Sequence, residues 1–311
     1  MGSGVYKRQL QACNPPDTIF LIALVLKPFG VRFIFDQHDL SPELFQAKFG
    51  NREGLLCRIV RFVELCSYRI ADICIATNES FKEIAITRGG KSPEDVFVVR
   101  NCPDLASFCS PQVRRGDKFG RSLTVVYVGF MGTQDGLDLL VRSIEHIVNG
   151  ENRRDTHFVL VGDGTVLPEL RAMIAAKKLD PYVTLTGRVS HEEVAAYLSD
   201  SDIGVAPDPK NPMNDNSTMI KILEYMAFAL PVVLFDLKEG RRIAGSAALY
   251  AAPNDPVDFA KQITQLLNCG ELRQKLGACG RKRIEETLNW AVEKTSLIQA
   301  YSAALQCERS S

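Results

Sequence analysis

The sequence has no long apolar run and no excess of either charge. Its longest apolar stretch, from Thr18 to Leu26, stops at Lys27 and Pro28 and is far shorter than the roughly 20 residues of a membrane-spanning helix. Lys plus Arg and Asp plus Glu number 37 each, so the chain has no electrostatic footprint for nucleic acid. We therefore expect a chain that is soluble or peripheral at a membrane and binds no nucleic acid.

The sequence also lacks the motifs of a disulfide framework, a zinc site or a signal peptide. Its nine cysteines are odd in number, scattered and without a C-x-x-C pair, and its four histidines are dispersed. Polar and charged residues precede the first apolar stretch. These absences predict a reducing, cytoplasmic location and neither a metal ion nor a cofactor.

Short β-branched runs alternate with helical periods along all 311 residues, which is typical of parallel α/β layers. A chain of this length predicts about two domains, and the segment from Asn101 to Arg121 is predicted to link them. In the first half we predict strands Arg32–Asp36, Asp72–Ala76 and Val96–Val99 and helices Thr18–Leu26, Pro42–Phe49, Leu55–Ile70 and Ser80–Arg88. In the second half we predict strands Leu123–Val128, His157–Val161, Val183–Thr186, Ile203–Ala206, Val232–Phe235 and Ala248–Ala251 and helices Gly136–Val148, Leu167–Lys178, His191–Leu198 and Pro256–Leu267.

One segment places a lysine and a glutamate three residues apart at a predicted helix start. Asn216, Ser217 and Thr218 precede this helix, while Lys221 and Glu224 share one of its faces. A helix N-terminus offers free N–H groups and partial positive charge to a phosphate. Lys221 can then neutralise a diphosphate, and Glu224 can accept hydrogen bonds from a ribose diol. The alternative is an amphipathic helix with one surface Lys–Glu pair.

Glycine-rich turns follow three predicted strands of the second half. They are Gly129-Phe130-Met131-Gly132-Thr133, Gly162-Asp163-Gly164 and Gly187-Arg188-Val189. Ligands bind at the carboxyl ends of strands in such sheets, and glycines let backbone N–H groups approach a phosphate. The turns are therefore candidate ligand-binding loops, although each could instead be a tight strand-to-helix turn. Ser190 and Glu193 predict a capping box for the next helix.

These motifs follow others in the first half in a fixed order. The series comprises Cys13-Asn14-Pro15-Pro16-Asp17, Asp36-Gln37-His38-Asp39-Leu40-Ser41-Pro42-Glu43, Ala76-Thr77-Asn78-Glu79-Ser80, Val98-Val99-Arg100-Asn101, the three glycine-rich turns and the Lys221 helix. The series resembles the bacterial family 4 retaining glycosyltransferases, which have the GT-B fold of two Rossmann-like domains facing a cleft. The resemblance implies transfer of a glycosyl group from a nucleotide-sugar to an acceptor hydroxyl, with retention, in cell-surface polysaccharide or glycoconjugate synthesis.

The resemblance also implies the roles of single residues. Glu224 would hold the ribose, the Gly187 turn would bind the base, and His38 would lie near the transferred sugar, in a loop facing the cleft. A neutral imidazole can hydrogen-bond a sugar hydroxyl or stabilise developing charge. Asp39 and Ser41 are interpreted as caps of the helix that begins at Pro42. The predicted catalytic residues are His38, Lys221 and Glu224, and the predicted donor-binding residues are Gly129, Met131, Gly132, Thr133, Gly187, Arg188, Val189, Asn216, Ser217, Thr218, Lys221 and Glu224.

Several positions depart from the family pattern. Phe130 and Asp135 stand where many members carry an Arg–Lys pair that binds the diphosphate. Asn216 stands where the first glutamate of an E-x7-E pattern would be, and it can hydrogen-bond but cannot act as a base. Ala229 takes a glycine position, which predicts a slightly strained helix end.

The predicted domains are residues 1–109, a partial acceptor-side domain, residues 110–284, the donor-binding domain, and residues 285–311, a helix that crosses back to the first domain. Compared with the family, the first domain lacks about two opening strand–helix units. A truncated, weakly active or inactive remnant that binds nucleotide-sugar is therefore the alternative function. A Rossmann oxidoreductase is disfavoured, because no G-x-G-x-x-G motif followed by an acidic residue ~20 positions on comes after a strand.

The predicted partners are a nucleotide-sugar donor and a glycan or lipid-linked acceptor, and no oligomeric state is indicated. The predicted helix Leu55–Ile70 interleaves apolar residues with Arg58, Arg61 and Arg69. Such a helix could lie on anionic lipid at the inner face of the membrane. A helix that faces the protein core is the alternative interpretation.

Overall fold

The computed structural model describes residues 8–49, 54–105 and 119–306. Contacts within the chain divide it into two units. The first unit holds the described residues up to Asn101 together with those from Ala291 onward, and the second holds the described residues from Cys102 to Trp290. Most of the predicted linker, residues 106–118, lies outside the described residues.

The first unit is built on a four-stranded parallel sheet in the order β1-β2-β3-β4. Its strands are β1 (Gln9–Cys13), β2 (Arg32–Gln37), β3 (Ile73–Ala76) and β4 (Val96–Val98). Its helices are α1 (Phe20–Leu26), α2 (Ser41–Phe49), α3 (Leu55–Ile70) and α4 (Glu79–Thr87). Short 3-10 turns occupy Asp17–Ile19, Lys27–Phe29 and Pro93–Asp95.

Both faces of this sheet are covered. Alternate residues of β2 point to opposite sides, and each side packs against helices. Phe33 and Phe35 pack with Tyr68 of α3 on one side. Ile34 points to the other side, where it packs with Ala300 of the helix Trp290–Gln306. The chain from Ala291 onward therefore completes the core of the first unit.

The second unit is built on a six-stranded parallel sheet in the order β10-β9-β8-β5-β6-β7. Its strands are β5 (Leu123–Val128), β6 (Thr156–Val161), β7 (Val183–Leu185), β8 (Ile203–Ala206), β9 (Val232–Phe235) and β10 (Ala248–Ala251). The helices that follow in the chain are α5 (Leu137–Glu145), α6 (Leu167–Ala176), α7 (His191–Asp200), α8 (Pro212–Asn216), α9 (Ile220–Ala227), α10 (Lys238–Ala244), α11 (Pro256–Asn268), α12 (Gly270–Glu286) and α13 (Trp290–Gln306). A π-helical turn, His146–Gly150, follows α5, and a 3-10 turn, Gly245–Ala247, follows α10.

The strand order of this sheet reverses between β5 and β8, which pair directly. Strands β6, β8 and β9 are buried along their whole length, as expected for a parallel sheet with helices on both faces. In doubly wound sheets, ligands bind outside the carboxyl ends of the strands at such a reversal. The fold therefore points to the loops that follow β5 and β8.

The predicted start of the last helix is wrong. The helix predicted from Glu285 begins at Trp290 instead, and Glu285 belongs to α12. The Nδ2 of Asn289 donates to the carbonyl oxygens of Ile284 and Glu285 at 3.0 and 2.9 Å, so this amide satisfies the end of α12 and separates the two helices.

Candidate functional site

The turns after β5, β6 and β7 are in contact at one end of the second sheet. The N–H of Met131 donates to the carbonyl of Asp163 at 3.0 Å, and Gly162 pairs with Gly187 in an isolated β-bridge. Gly162 has a φ of +140°, and a Cβ built on it would lie 1.9 Å from the carbonyl oxygen of Gly129. Only glycine permits this approach. The structure thus brings together the three glycine-rich turns that the sequence singles out.

These turns line a cavity of about 650 Å³. Its lining residues are Gly129, Phe130, Asp163, Gly164, Thr165 and Arg188. Arg188 is exposed, and no carboxylate in the described part of the chain pairs with its guanidinium group. The Phe130 side chain is 58% exposed. The cavity therefore offers a cation suited to phosphate and an aromatic face suited to a base or sugar ring.

Lys221, the second residue of α9, lies behind Gly129 of the cavity wall. Its Nζ lies 2.8 Å from Oδ1 of Asp208 and 4.8 Å from the ring centroid of Tyr127. Burial is the largest single effect and lowers the pKa of Lys221, but the charge and hydrogen bond of Asp208, together with Tyr225 and Asp135, leave this pKa above its ordinary value. A Cβ built on Gly129 would lie 3.4 Å from Cε of Lys221. The lysine is therefore a fixed cation against the cavity wall.

Asp208, the partner of Lys221, is a residue that sequence reasoning missed. It is 1% exposed, and its Oδ2 has no hydrogen-bond partner among the described residues. Asp135 also lies near enough to Lys221 for the two charges to interact. Burial raises the pKa of this carboxyl and is the larger effect, while the charge of Lys221 and the N–H of Gly132 lower it. The signal that could have found Asp208 is its position two residues beyond the end of β8, at the same sheet edge as the glycine turns.

Glu224 lies one turn after Lys221 and is half-buried. Burial raises its pKa, and the nearby charges of Lys221 and His191 oppose that rise. No group in the described ranges donates a hydrogen bond to this carboxylate, so its oxygens are available to a ligand. No side chain caps the start of α9 either, although the N–H of Ile222 donates to the carbonyl of Met219 at 3.0 Å.

Two of the predicted donor-binding residues of the first glycine loop, Met131 and Gly132, make contacts that stabilise the loop. Met131 is fully buried in the core, and its N–H and C=O groups bond to the backbone of Asp163 and Val166. The N–H of Gly132 donates to the carboxylate of Asp135 at 2.9 Å. Thr133 is exposed and borders a second cavity of about 340 Å³. Met131 therefore supports the loop and does not present its side chain to the larger cavity.

Two of the three predicted donor-binding residues from Asn216 to Thr218 are also held locally. Asn216 and Ser217 donate to the carbonyls of Pro212 and Met213, each at 2.8 Å, within the short helix α8. Thr218 Oγ1 is buried and has no partner in the part of the chain that the structure describes. A ligand would therefore reach the Thr218 hydroxyl only after a local rearrangement.

His38 lies in the first unit, directly after β2. Its Nε2 is 3.2 Å from Oδ1 of Asp36, and this hydrogen bond raises the pKa of His38 against the opposing effect of burial. The N–H of His38 donates to Oδ1 of Asn14 at 2.7 Å. The loop is thereby fixed, with the imidazole turned toward a carboxylate.

The interpretation of Ser41 as a helix cap is wrong, whereas the predicted capping box is confirmed. Ser41 is itself the first residue of α2, and its hydroxyl donates to the carboxylate of Asp17. At the start of α7, Oγ of Ser190 accepts from the N–H of Glu193 at 3.2 Å, and the carboxylate of Glu193 accepts from the N–H of Ser190 at 3.0 Å.

Comparison with known proteins agrees with this geometry. Residues 122–269 match the family described as glycosyl transferases group 1. This group 1 segment runs from the start of β5 to the end of α11 and contains the three turns, Asp208, Lys221 and Glu224.

Related proteins are named as glycosyltransferases. The chain is 28% identical over 154 residues to alpha-D-kanosaminyltransferase of Streptomyces kanamyceticus, which covers 49% of this chain and 38% of that protein. It is 23% identical over 264 residues to MMP alpha-(1->4)-mannosyltransferase of Mycolicibacterium hassiacum, which covers 82% of this chain and 60% of that protein. The matches thus span less than two thirds of the length of these relatives.

Solved structures show the same fold. Sucrose-phosphate synthase from Thermosynechococcus elongatus matches with a TM-score of 0.77 at 19% identity, over 94% of this chain and 73% of that one. Anabaena HepE in complex with UDP and glucose matches with a TM-score of 0.77 at 16% identity, over 95% and 78%. The predicted α/β class, with the parallel sheets of GT-B glycosyltransferases, is confirmed.

Within the described residues, no helix combines the length and apolarity required to cross a membrane.

Proposed function

We propose that this protein transfers a glycosyl group from a nucleotide-sugar to an acceptor hydroxyl. The observation that carries the proposal is the meeting of three glycine turns with the buried cation of α9 at the carboxyl end of a doubly wound sheet. The cavity there, about 650 Å³, falls in the size range of small-molecule sites. The group 1 match over the same residues supports it.

In this proposal the leaving diphosphate is the group that the site stabilises. Lys221, Arg188 and the open N-terminus of α9 supply positive charge, and Glu224 accepts the ribose hydroxyls. Fixed charges of this kind lower the barrier because they need no reorganisation as the leaving group develops charge. We propose that the reaction uses no metal ion and no cofactor. The turn Gly187–Val189 would meet the nucleobase.

Donor binding without efficient transfer is the second candidate. It is favoured by the two carboxylates, Asp135 and Asp208, that already face Lys221. They reduce the positive charge that would stabilise the leaving diphosphate as the sugar is transferred.

We also propose that the anomeric configuration is retained and that His38 contacts the transferred sugar. His38→Ala is expected to lower kcat by about 10²-fold, the usual size of losing one such stabilising group, and to leave donor affinity nearly unchanged. NMR of the first-formed product reports its anomeric configuration. An inverted product would contradict retention, and an unchanged kcat would remove His38 from the reaction.

Donor affinity tests the proposed function directly. Isothermal titration with UDP-, GDP- and TDP-sugars, beginning with UDP because HepE binds it, identifies the nucleotide. Lys221→Ala and Glu224→Gln should each weaken binding by about 1–3 kcal/mol. Lys221→Ala should weaken nucleoside diphosphates more than nucleosides. Lys210→Ala, a change at an exposed lysine, is the control.

Removing Lys221 alone leaves Asp208 buried without its partner, which can itself destabilise the unit. The double variant Lys221→Met with Asp208→Asn removes both charges together. If it folds and fails to bind diphosphate, the loss belongs to the site. Binding as tight as wild type in this variant and in Glu224→Gln would show that the site assignment is wrong.

We further propose a cytoplasmic protein that takes a glycan or lipid-linked acceptor at the inner face of a membrane, in cell-surface glycan synthesis. The support is the outer side of α1, where Leu21, Ile22, Leu24 and Val25 are each more than half exposed. On α3, exposed apolar residues alternate with exposed Arg58 and Arg61. Apolar and basic side chains in this arrangement suit the surface of an anionic bilayer.

A further inference from the structure

The ends of β1 and β2 bring together a thiol, a carboxylate and an imidazole. Cys13 and Asp36 are directly opposite in the parallel register, and His38 follows two residues later. One ligand atom from each residue lies within 4.8 Å of both others. No motif in the sequence indicates this cluster, because Cys13 lies 23 residues before Asp36 and meets it only when the two strands pair.

The separations suit one tetrahedral ion. Nε2 of His38 is 3.2 Å from Oδ1 of Asp36, and Sγ of Cys13 is 3.6 Å from Oδ2 of Asp36. Two ligands that bind one Zn²⁺ at its usual bond lengths of roughly 2.0–2.3 Å stand roughly 3.3–3.6 Å apart. The separations of His38 and Cys13 from the Asp36 carboxylate therefore approach this range, one at each of its oxygens, and the three ligand atoms lie within 4.8 Å of one another.

Surrounding groups hold the three ligands in place. Gln11 Nε2 donates to Oδ2 of Asp36 at 2.7 Å, and the hydroxyl of Tyr301 donates in turn to Gln11. Asn14, which is 3% exposed, accepts from the N–H of His38 and so ties the loop after β2 to the end of β1. Hydrogen bonds that orient ligands in this way are typical of metal sites.

We propose that Cys13, Asp36 and His38 form a binding site for Zn²⁺. Thiolate, imidazole and carboxylate are the three ligand types that this ion takes in proteins. Cys13 and His38 are exposed, so an ion can enter from solvent and retain a water molecule as its fourth ligand. Binding replaces the proton of the Cys13 thiol, which is released to solvent. If His38 also contacts the sugar as proposed above, Zn²⁺ and the sugar compete for one imidazole, and Zn²⁺ inhibits transfer.

Metal titration tests the site without reference to transfer. The full chain, free of any histidine tag and stripped by a chelator, is titrated with Zn²⁺ against a chromophoric chelator. A parallel titration with Co²⁺ follows the thiolate-to-metal absorption band. We expect one ion per chain. Cys13→Ser should weaken binding at least about tenfold and remove the band, and Asp36→Asn and His38→Gln should weaken binding comparably.

Cys66→Ser, the same change at a partly buried cysteine of α3, is the matched control and should bind like wild type. Circular dichroism of the stripped variants checks that each is folded before titration. The proposal is overturned if the wild-type chain binds no stoichiometric ion, or if Cys13→Ser keeps both the affinity and the cobalt band. Either result would leave Asp36–His38 as an ion pair alone.

Discussion

Two buried carboxylates, Asp208 and Glu64, differ in how their charge is balanced. Lys221 and Asp208 form a close ion pair with side chains 9% and 2% exposed, whereas Oε2 of Glu64 is buried without a partner among the described atoms. A buried pair retains both charges, while a buried carboxylate with too few donors tends to take up a proton. Glu64 is therefore a group through which the stability of the first unit depends on pH.

Glu64 predicts a fall in stability between pH 4.5 and pH 7. Burial raises its pKa from 4.5 to about 7, because desolvation outweighs the attraction of Arg88, whose Nη2 lies 2.8 Å away. In this window the folded chain holds more protons at Glu64 than the unfolded chain, so the free energy of unfolding decreases as pH rises. We expect a loss of about 2–3 kcal/mol at this residue.

Urea unfolding at a series of pH values measures this dependence. Glu64→Gln should abolish the decrease, while Glu169→Gln, a change at an exposed residue of α6, should keep it. Wild type and Glu64→Gln with parallel pH profiles would refute the assignment.

At the scale of elements, α12 depends on one close approach. A Cβ built on Gly277 would lie 2.0 Å from the carbonyl oxygen of Ala229, just beyond the end of α9. Ala229 itself has a φ of +55°, which confirms the strained helix end expected there. Gly277→Ala should therefore push α12 away and cost about 1–3 kcal/mol, the usual penalty of overpacking.

The same helix offers a matched control. Gly270 is the first residue of α12, and its nearest outside atom to a built Cβ lies 3.6 Å away on Arg273. Gly270→Ala should be neutral or stabilising by up to about 1 kcal/mol. Urea unfolding of both variants decides the matter. Equal stability of Gly277→Ala and wild type would mean that the two helices adjust without strain.

Elements with strong patterns could be predicted, and elements without them could not. The buried strands of the second unit are short apolar runs, such as Val232–Phe235, and were predicted within a residue of their observed places. Strand β1 was missed because only Ala12 of its five residues is buried, so its alternation carries almost no apolar signal. Helix α12 was missed because it is polar and contains Gly277 and Gly280.

The segments that form the candidate site could be predicted from local sequence motifs and sheet topology. Sheet topology places the three glycine turns and α9 at one edge, and the sequence motifs identified these segments. The Lys221–Asp208 pair was not predictable, because it depends on how the chain turns between β8 and α9. The burial of Met131 could not be predicted either, since a methionine side chain in a loop can point to the core or to solvent.

At the scale of the whole molecule, the proposed membrane contact is confined to the first unit. Flotation with vesicles of phosphatidylcholine alone or mixed with phosphatidylglycerol measures it. We expect binding to the anionic vesicles at low salt and its loss at high salt. Reversing Arg58 and Arg61 together to glutamate should abolish binding, because each basic residue near an anionic surface contributes about 1 kcal/mol.

Arg142→Glu, on an exposed part of α5 in the second unit, is the control and should bind like wild type. Failure of the wild-type chain to float with anionic vesicles at low salt would dispose of the membrane proposal. It would leave the donor site untouched.

Helix α13 affects the order in which the two units can fold during synthesis. A ribosome makes β1–β4 before Ala300 and Ala304, the residues that cover one face of their sheet. The hydrogen bond from Gln9 to the carbonyl of Tyr301 joins residues 292 apart. The second unit, synthesised entirely in between, can fold while that face is still bare. The first unit therefore completes its core only after the second unit has been made, and one face of its sheet stays uncovered until then.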